Sequence, residues 1–404
     1  MYLEAYKRWM ETELEDAALT AELQSIEGNE EEIKDRFAVA LKFGTAGLRG
    51  ILGAGTAYIN YYTVRKATYG FGKYLERYED AHNHGVVIAH DNRNYSKEFA
   101  LDTAKVFASM GFKVYLFEDL RPTPELSYAV RHLSAIGGVM ITASHNPKEY
   151  NGYKIYDEYG CQLVPELADM VIEEINNVKD YFAIDNTKNH ELITYIGKEI
   201  DDAYRATVNT IRINTELKPE FKVVYTPLHG TGQVFAADVL RENGFLCCPV
   251  ASQMTNDPNF SGVKSSNPED PRAFDEAIAY GKEIGAKLVL ATDPDADRLG
   301  IAVLHNGEYV LMTGNQIGAL LVDFVLSHKK DALNEKSTLV KTIVTSELGA
   351  DIARSYGLHI VDTLTGFKYI GDQIGRYEIN GDREFVIGYE ESYGYLVGTH
   401  ARDK

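Results

Sequence analysis

Three carboxylates at alternate positions close a strand-like run, Leu288-Val-Leu-Ala-Thr-Asp293-Pro-Asp295-Ala-Asp297-Arg298. In extended chain, alternate side chains share a face. Three carboxylates gathered there repel one another unless a cation joins them. Mg2+ favours oxygen ligands of this kind. The competing account is a solvated acidic turn, because Asp and Pro are common turn residues. A calcium-loop reading fails: position six of such a loop would be Arg298 and position twelve Leu304, where glycine and glutamate are needed.

A second apolar run, Gly137-Gly-Val-Met-Ile-Thr142-Ala-Ser144-His145-Asn146-Pro147, empties into a polar loop. Loops at the carboxyl ends of parallel strands carry the chemistry of α/β folds. Ser144 is a candidate nucleophile, or the cap of a helix that begins at Pro147. His145 is its sequence neighbour, so its side chain is expected to point away. That favours a phosphorylated serine beside a metal over a catalytic triad. Phe43-Gly44-Thr45-Ala46-Gly47-Leu48-Arg49-Gly50 offers backbone N–H groups to an anion and a guanidinium to clamp phosphate, or is a tight turn. Thr363-Leu-Thr365-Gly366-Phe-Lys368 is a further polar turn, and Gly388-Tyr-Glu390-Glu391-Ser392-Tyr-Gly394 offers acceptors suited to sugar hydroxyls. Tyr225-Thr-Pro-Leu-His229-Gly-Thr-Gly232 is a glycine-rich strand exit with no assigned role.

The elements that position these loops recur. A strand, a helix, a glycine and a second strand appear at Val86 to Phe117, Phe221 to Val250 and Ser337 to Asp362, with Gly111, Gly244 and Gly357 as helix C-caps. Such units require parallel pairing with a right-handed crossover. The expected fold is α/β: three tandem similar domains with mixed, mainly parallel sheets flanked by helices, around a central cleft. Their expected extents are residues 1–200, 201–306 and 307–404. Two acidic helices should precede them, from Met1 to about Lys42. Charged helices over Pro165–Ile200 and Asp201–Arg212 should link the first two domains, with Pro165 in a first turn. Asn306-Gly307 marks a hairpin turn.

The chain has 404 residues and a net charge of −19. That acidity disfavours nucleic acid and anionic membranes, and obliges any phosphate site to be built locally from Arg and Lys. No apolar run is long enough to span a bilayer, and the acidic N-terminus lacks a signal-peptide pattern. Three cysteines, Cys161, Cys247 and Cys248, without a Cys-x-x-Cys pair, point to a reducing cytoplasm rather than a disulfide framework or zinc site.

Taken together, these segments resemble the α-D-phosphohexomutase family, which includes phosphoglucomutase and phosphomannomutase. The resemblance runs from about Phe37 to Lys404, with the motifs in the family's order. Thr142-Ala-Ser-His-Asn-Pro, followed by Asn151-Gly-Tyr-Lys154, is similar to the phosphoserine loop. Asp293-x-Asp-x-Asp-Arg is similar to the metal loop, and Gly388-Tyr-Glu-Glu-Ser-Tyr-Gly to the sugar loop. Phe43 to Arg49 and Glu391-Ser-Tyr-Gly-Tyr look most like the bacterial phosphoglucomutase branch near phosphoglucomutase 2 and phosphopentomutase. The resemblance implies an intramolecular phosphotransferase that interconverts glucose 1-phosphate and glucose 6-phosphate through phosphoserine and glucose 1,6-bisphosphate. Ser144 would carry the phosphoryl group, with Mg2+ between it and Asp293, Asp295 and Asp297. His145, Lys154 and Lys368 would be catalytic. Thr45, Arg49, Arg298, Thr365, Gly366, Glu390 and Ser392 would bind substrate.

Family members continue into a fourth, phosphate-binding domain whose Arg-Ser-Gly-Thr loop has no counterpart here. The expectation is that Mg2+ binding and Ser144 phosphorylation survive while mutase turnover falls by orders of magnitude, because a lost Arg clamp costs positioning. Mannose or pentose phosphates are alternative substrates. A sugar-phosphate phosphatase and a non-catalytic sugar-phosphate binding module are alternative activities. Small-molecule sugar phosphates are the expected partners, and monomer and dimer both remain open.

Overall fold

The computed structural model of the chain describes residues 1–44, 47–214, 216 and 219–404. The first sheet comprises β1 (Leu48–Ile51), β2 (Val86–His90), β3 (Val114–Phe117), β4 (Gly137–Ile141), β5 (Tyr150–Tyr156) and β6 (Ile193–Ile196), in the order β1-β5-β4-β2-β3-β6. β2 pairs parallel with β3 and β4, and β3 with β6, whereas β5 runs antiparallel to β4 and β1. β2 and β4 are buried along their whole length, as central parallel strands covered on both faces must be. Alternate residues serve two cores. Val86, Ile88, Val139 and Ile141 pack with Phe71, Phe99 and Val171, while Val87, Ala89 and Met140 pack with Leu126 and Val130.

The second sheet holds β7 (Lys222–Thr226), β8 (Leu246–Pro249), β9 (Leu288–Thr292), β10 (Leu299–His305) and β11 (Glu308–Leu311), ordered β11-β10-β9-β7-β8. The third holds β12 (Ser337–Thr342), β13 (His359–Thr363), β14 (Glu384–Glu390) and β15 (Gly394–Val397), ordered β13-β12-β14-β15. β7–β8 and β12–β13 pair parallel, like β2–β3. Gly111, Gly244 and Gly357 all have positive φ, 92°, 86° and 85°, the left-handed conformation that ends a helix. Asn306 and Gly307, at φ 49° and 86°, turn β10 into β11.

Local structure departs from expectation in three places. The N-terminal segment forms three short helices, Tyr2–Glu11, Ala17–Ser25 and Glu30–Phe37, rather than two, because Asp16 and Asn29 each accept a backbone N–H and restart the chain. Within 165–200 the helix stops at Asn177, and Ile193–Ile196 is the edge strand β6. Its four residues are too few for a periodicity signal. Pro147 starts no helix; Ser144 is not a helix cap.

The segment after β15 returns to the first domain. Tyr156 donates its hydroxyl to Asp403 (2.8 Å), and the Arg402 N–H reaches Ser127 Oγ (2.8 Å), which in turn donates to the Gly160 carbonyl (2.6 Å). Ala401, Arg402 and Asp403 are buried.

Candidate functional site

β2, β4, β9 and β14 all deliver polar residues from their carboxyl ends. Ser144 follows β4 with φ 51°, a left-handed conformation that costs a residue with a Cβ roughly 1–2 kcal/mol. The surrounding bonds hold it there. Thr142 Oγ accepts the Ser144 N–H (2.8 Å) and donates to Asp91 (2.7 Å). The buried Arg93 guanidinium donates to the carbonyls of Ser144 (2.6 Å), Pro147 (2.8 Å), Tyr150 (3.1 Å) and Asn146, and its Nε lies 3.3 Å from Asp91. One guanidinium thus fixes the backbone of the whole loop.

Ser144 Oγ donates to Asp293 Oδ2 across the domain boundary (2.7 Å). Asp293, Asp295 and Asp297 are buried, and each offers an oxygen within 4.8 Å of the others. Asp293 Oδ1 accepts the N–H groups of Asp297 and Arg298 (both 3.1 Å). Thr123 clamps Asp295 twice, by hydroxyl to Oδ2 (2.9 Å) and by N–H to carbonyl (2.9 Å). Lys154, on β5, sets its ammonium 2.8 Å from Asp295 and 3.2 Å from Asp297. Among the described residues, Asp295 Oδ1 and Asp297 Oδ1 have no hydrogen-bond partner. Buried carboxylate oxygens without partners are costly, and this all-oxygen donor set fits a hard divalent cation. Burial and then the Asp295 and Asp297 charges push Asp293 well above the carboxylate range. Burial acts the same way on Asp295, but Lys154 outweighs it and holds Asp295 low. Burial would depress Lys154, yet the two aspartates raise it, so it remains protonated.

His145 corrects one expectation. Its Nδ1 lies 3.1 Å from Ser144 Oγ, so the side chain turns towards the serine, which the left-handed backbone makes possible. Burial, then the Arg298 charge, lowers its pKa to about 4, and the ring is neutral at physiological pH. Arg298 pairs with Glu269. Arg49, exposed on β1, donates to Asn146 Oδ1 (3.0 Å) and stands beside the serine loop. Thr45 lies outside the described residues.

Glu390, at the end of β14, is 3% exposed and pairs with Lys404. Its neighbour Glu391 faces the other way, accepting from Thr342 Oγ (3.0 Å) and Thr345 Oγ (2.9 Å). Ser392 is half-buried, and the next carbonyl, that of Tyr393, accepts the Leu299 N–H (3.0 Å), tying the sugar-type loop to the strand after the aspartates. Gly366 has φ 121° and begins the helix Phe367–Asn380, with Thr365 exposed before it. Lys368, in that helix's first turn, is buried and stands 5.3 Å from the Tyr369 ring centre, and burial lowers its pKa. Cys161 Sγ donates to the Lys368 carbonyl (3.3 Å), so this turn abuts the first domain.

Sequence reading missed Asp91, Arg93, Thr123 and Lys404. The signal for the first two was their place just past β2, the same strand end that exposed Ser144 after β4. Thr123 and Lys404 carried none, because their partners lie 172 and 14 residues away. The unassigned Tyr225 to Gly232 segment also finds a role. The Thr231 N–H donates to the Pro294 carbonyl (2.8 Å), and a Cβ on Gly230 would lie 2.5 Å from Pro294 Cα. Glycine therefore permits this turn to press against the aspartate loop.

Comparison with known proteins agrees with this geometry. Three family descriptions match in series: phosphoglucomutase/phosphomannomutase alpha/beta/alpha domain I over residues 40–182, domain II over 202–307 and domain III over 313–404. A phosphoglucomutase of Staphylococcus haemolyticus (strain JCSC1435) is 40% identical over 91% of this chain, which spans 67% of that protein. A crystal structure assigned as a phosphomannomutase of Thermus thermophilus superposes with TM-score 0.74 at 27% identity, covering 91% of this chain and 77% of that one. A phosphoglucomutase/phosphomannomutase family protein of Burkholderia thailandensis shares the fold, with TM-score 0.71 at 20% identity over 89% of this chain and 73% of that one. A serine and three buried aspartates meeting between domains of this kind, with these relatives, place the chain in the α-D-phosphohexomutase family of intramolecular phosphotransferases.

Proposed function

We propose that the protein is a phosphoglucomutase that interconverts glucose 1-phosphate and glucose 6-phosphate through phosphoserine at Ser144. The observation that carries this is Ser144 Oγ, hydrogen-bonded to Asp293 and His145 in a left-handed loop beside two further buried aspartates. In the first half-reaction the Oγ–P bond breaks and a bond forms from phosphorus to the free hydroxyl of a hexose monophosphate. The resulting glucose 1,6-bisphosphate turns over, and its other phosphate returns to Ser144. A Mg2+ held by Asp293, Asp295 and Asp297 would neutralise charge on the transferred group. Asp293 already accepts the Ser144 hydroxyl proton and would take it as the ester reforms, while neutral His145 is hydrogen-bonded to the same oxygen and orients it. Lys154, kept protonated by its aspartates, contributes a fixed positive charge beside the substrate oxygens. Lys368, whose charge is disfavoured by burial, suits a base. Glu390 and Ser392 would read sugar hydroxyls, with Arg49, Arg298, Thr45, Thr365 and Gly366 around the phosphate and cleft. The expected boundary at 306/307 falls in the turn between β10 and β11, and because β11 pairs with β10 in the second sheet the three domains are proposed to run over about 1–200, 201–312 and 313–404. No helix among the described residues is long and apolar enough to cross a membrane, and the proposed compartment is the cytoplasm, which suits three unpaired cysteines.

The test is intact mass before and after incubation with Mg2+ and glucose 1,6-bisphosphate, with Ser144→Ala alongside. The expected result is a gain of one phosphoryl group that the variant lacks. No gain in folded protein that starts unphosphorylated would refute the reading and leave sugar-phosphate binding alone.

A further inference from the structure

A cavity of about 510 Å3 lies beneath the strap that leads into β1, away from the serine and the aspartates. Leu41 and Phe43 of the segment before β1, Leu48 of β1, Tyr62 and Ala67 of helix Tyr61–Leu75, and Ile172 and Ile175 of helix Pro165–Asn177 make its apolar wall. Its charged lining residues are both lysines, Lys42 and Lys66, and no carboxylate lines it among the described residues. In a chain of net charge −19 that is a local reversal of sign. Lys66 is half-buried, and burial followed by the nearby Lys179 charge lowers its pKa. Neither Lys42 nor Lys66 forms an ion pair among the described residues, although thirty-two ion pairs are made elsewhere, including many by exposed lysines.

We propose that this cavity binds an amphipathic anion, an apolar alkyl or aromatic body ending in one carboxylate or phosphate, with the head group on Lys66. The reasons are complementary. An apolar-walled cavity of this size lies in the range of small-molecule sites, which combine such walls with a few placed polar groups. A partly desolvated ammonium without a counter-charge is stabilised by an incoming anion, and charge-assisted bonds are the stronger ones. Lys42 at the same wall supplies a second charge. The occupant would touch Phe43 and Leu48, which flank the glycine segment before Arg49, so the site adjoins the serine loop's neighbour without using any residue of that loop.

The test uses the full 404-residue chain and the fluorescent aromatic anion 8-anilinonaphthalene-1-sulfonate, displaced by decanoate, decyl phosphate or decanol below their micellar concentrations. Both anions are expected to displace the dye about tenfold more tightly than decanol, an energy of about 1.4 kcal/mol. The tighter of the two anions identifies the head group. Lys66→Met is expected to weaken both anions about tenfold and to leave decanol unchanged. Asn176→Trp, an exposed substitution at the cavity mouth, should reduce dye binding with far-UV circular dichroism unchanged. Equal displacement by decanol and the anions, or dye binding indifferent to both substitutions, would overturn the proposal.

Discussion

His145 shows how a single side chain's protonation follows from where the fold puts it. Its pKa falls to about 4 because the ring is desolvated and faces Arg298, whereas an unfolded histidine titrates near pH ~6.5. Between those values the unfolded chain binds a proton there that the folded chain does not. Stability from this residue is therefore complete above about pH 6.5 and is lost as pH falls towards 4. Histidine ring resonances followed by NMR should show His145 titrating near 4. A midpoint near pH ~6.5 would show that the ring is neither desolvated nor facing Arg298 as placed here. Ser144 and the three aspartates were legible as candidates from residue type and spacing, with a helix cap and a solvated acidic turn as their alternatives. The direction of the His145 side chain was not, because adjacency in sequence predicts divergence only for ordinary backbone, and Ser144 adopts a left-handed φ of 51°.

At the scale of elements, the loops are held by neighbours that themselves do no chemistry. Arg93 fixes four carbonyls of the serine loop, and the Thr231 N–H with the close approach of Gly230 fixes Pro294 between two aspartates. Gly230→Ala would drive a Cβ to 2.5 Å from Pro294 Cα, a backbone atom that cannot swing aside. Loss of such supporting contacts costs metal sites about 10–100-fold in affinity. Titration calorimetry of Mg2+ should show a loss in that range, and an unchanged affinity would mean that the glycine does not position the loop. The parallel units and their glycine caps were readable because helix and strand periods differ and left-handed caps favour glycine. β6 and the break into three N-terminal helices were not, since short elements are decided by what they pack against.

For the whole molecule, the site exists only where separate domains meet. Ser144 and Asp293 are joined by one hydrogen bond across 149 residues of sequence. Ser127, Tyr156 and the buried 401–403 segment tie the third domain back to the first. Ser127→Ala would leave the Gly160 carbonyl and the Arg402 N–H without their shared partner. The expected loss is about 1–3 kcal/mol, measurable by urea unfolding, with faster amide exchange over residues 399–404. Exchange as slow as in the unaltered protein would show that the 399–404 segment is held by other contacts.

The amino-acid sequence by itself determined the repeated α/β units, the serine after a buried strand and the alternate aspartates, because these depend on local period, turn chemistry and spacing along one chain. Only the tertiary structure decided that Lys154 neutralises Asp295 and Asp297, that His145 faces the serine, and that Glu390 meets Lys404 while Glu391 turns to Thr342 and Thr345. Those pairings depend on how rigid domains dock, and burial then sets which charges survive. Neither quantity is encoded in any short stretch of residues.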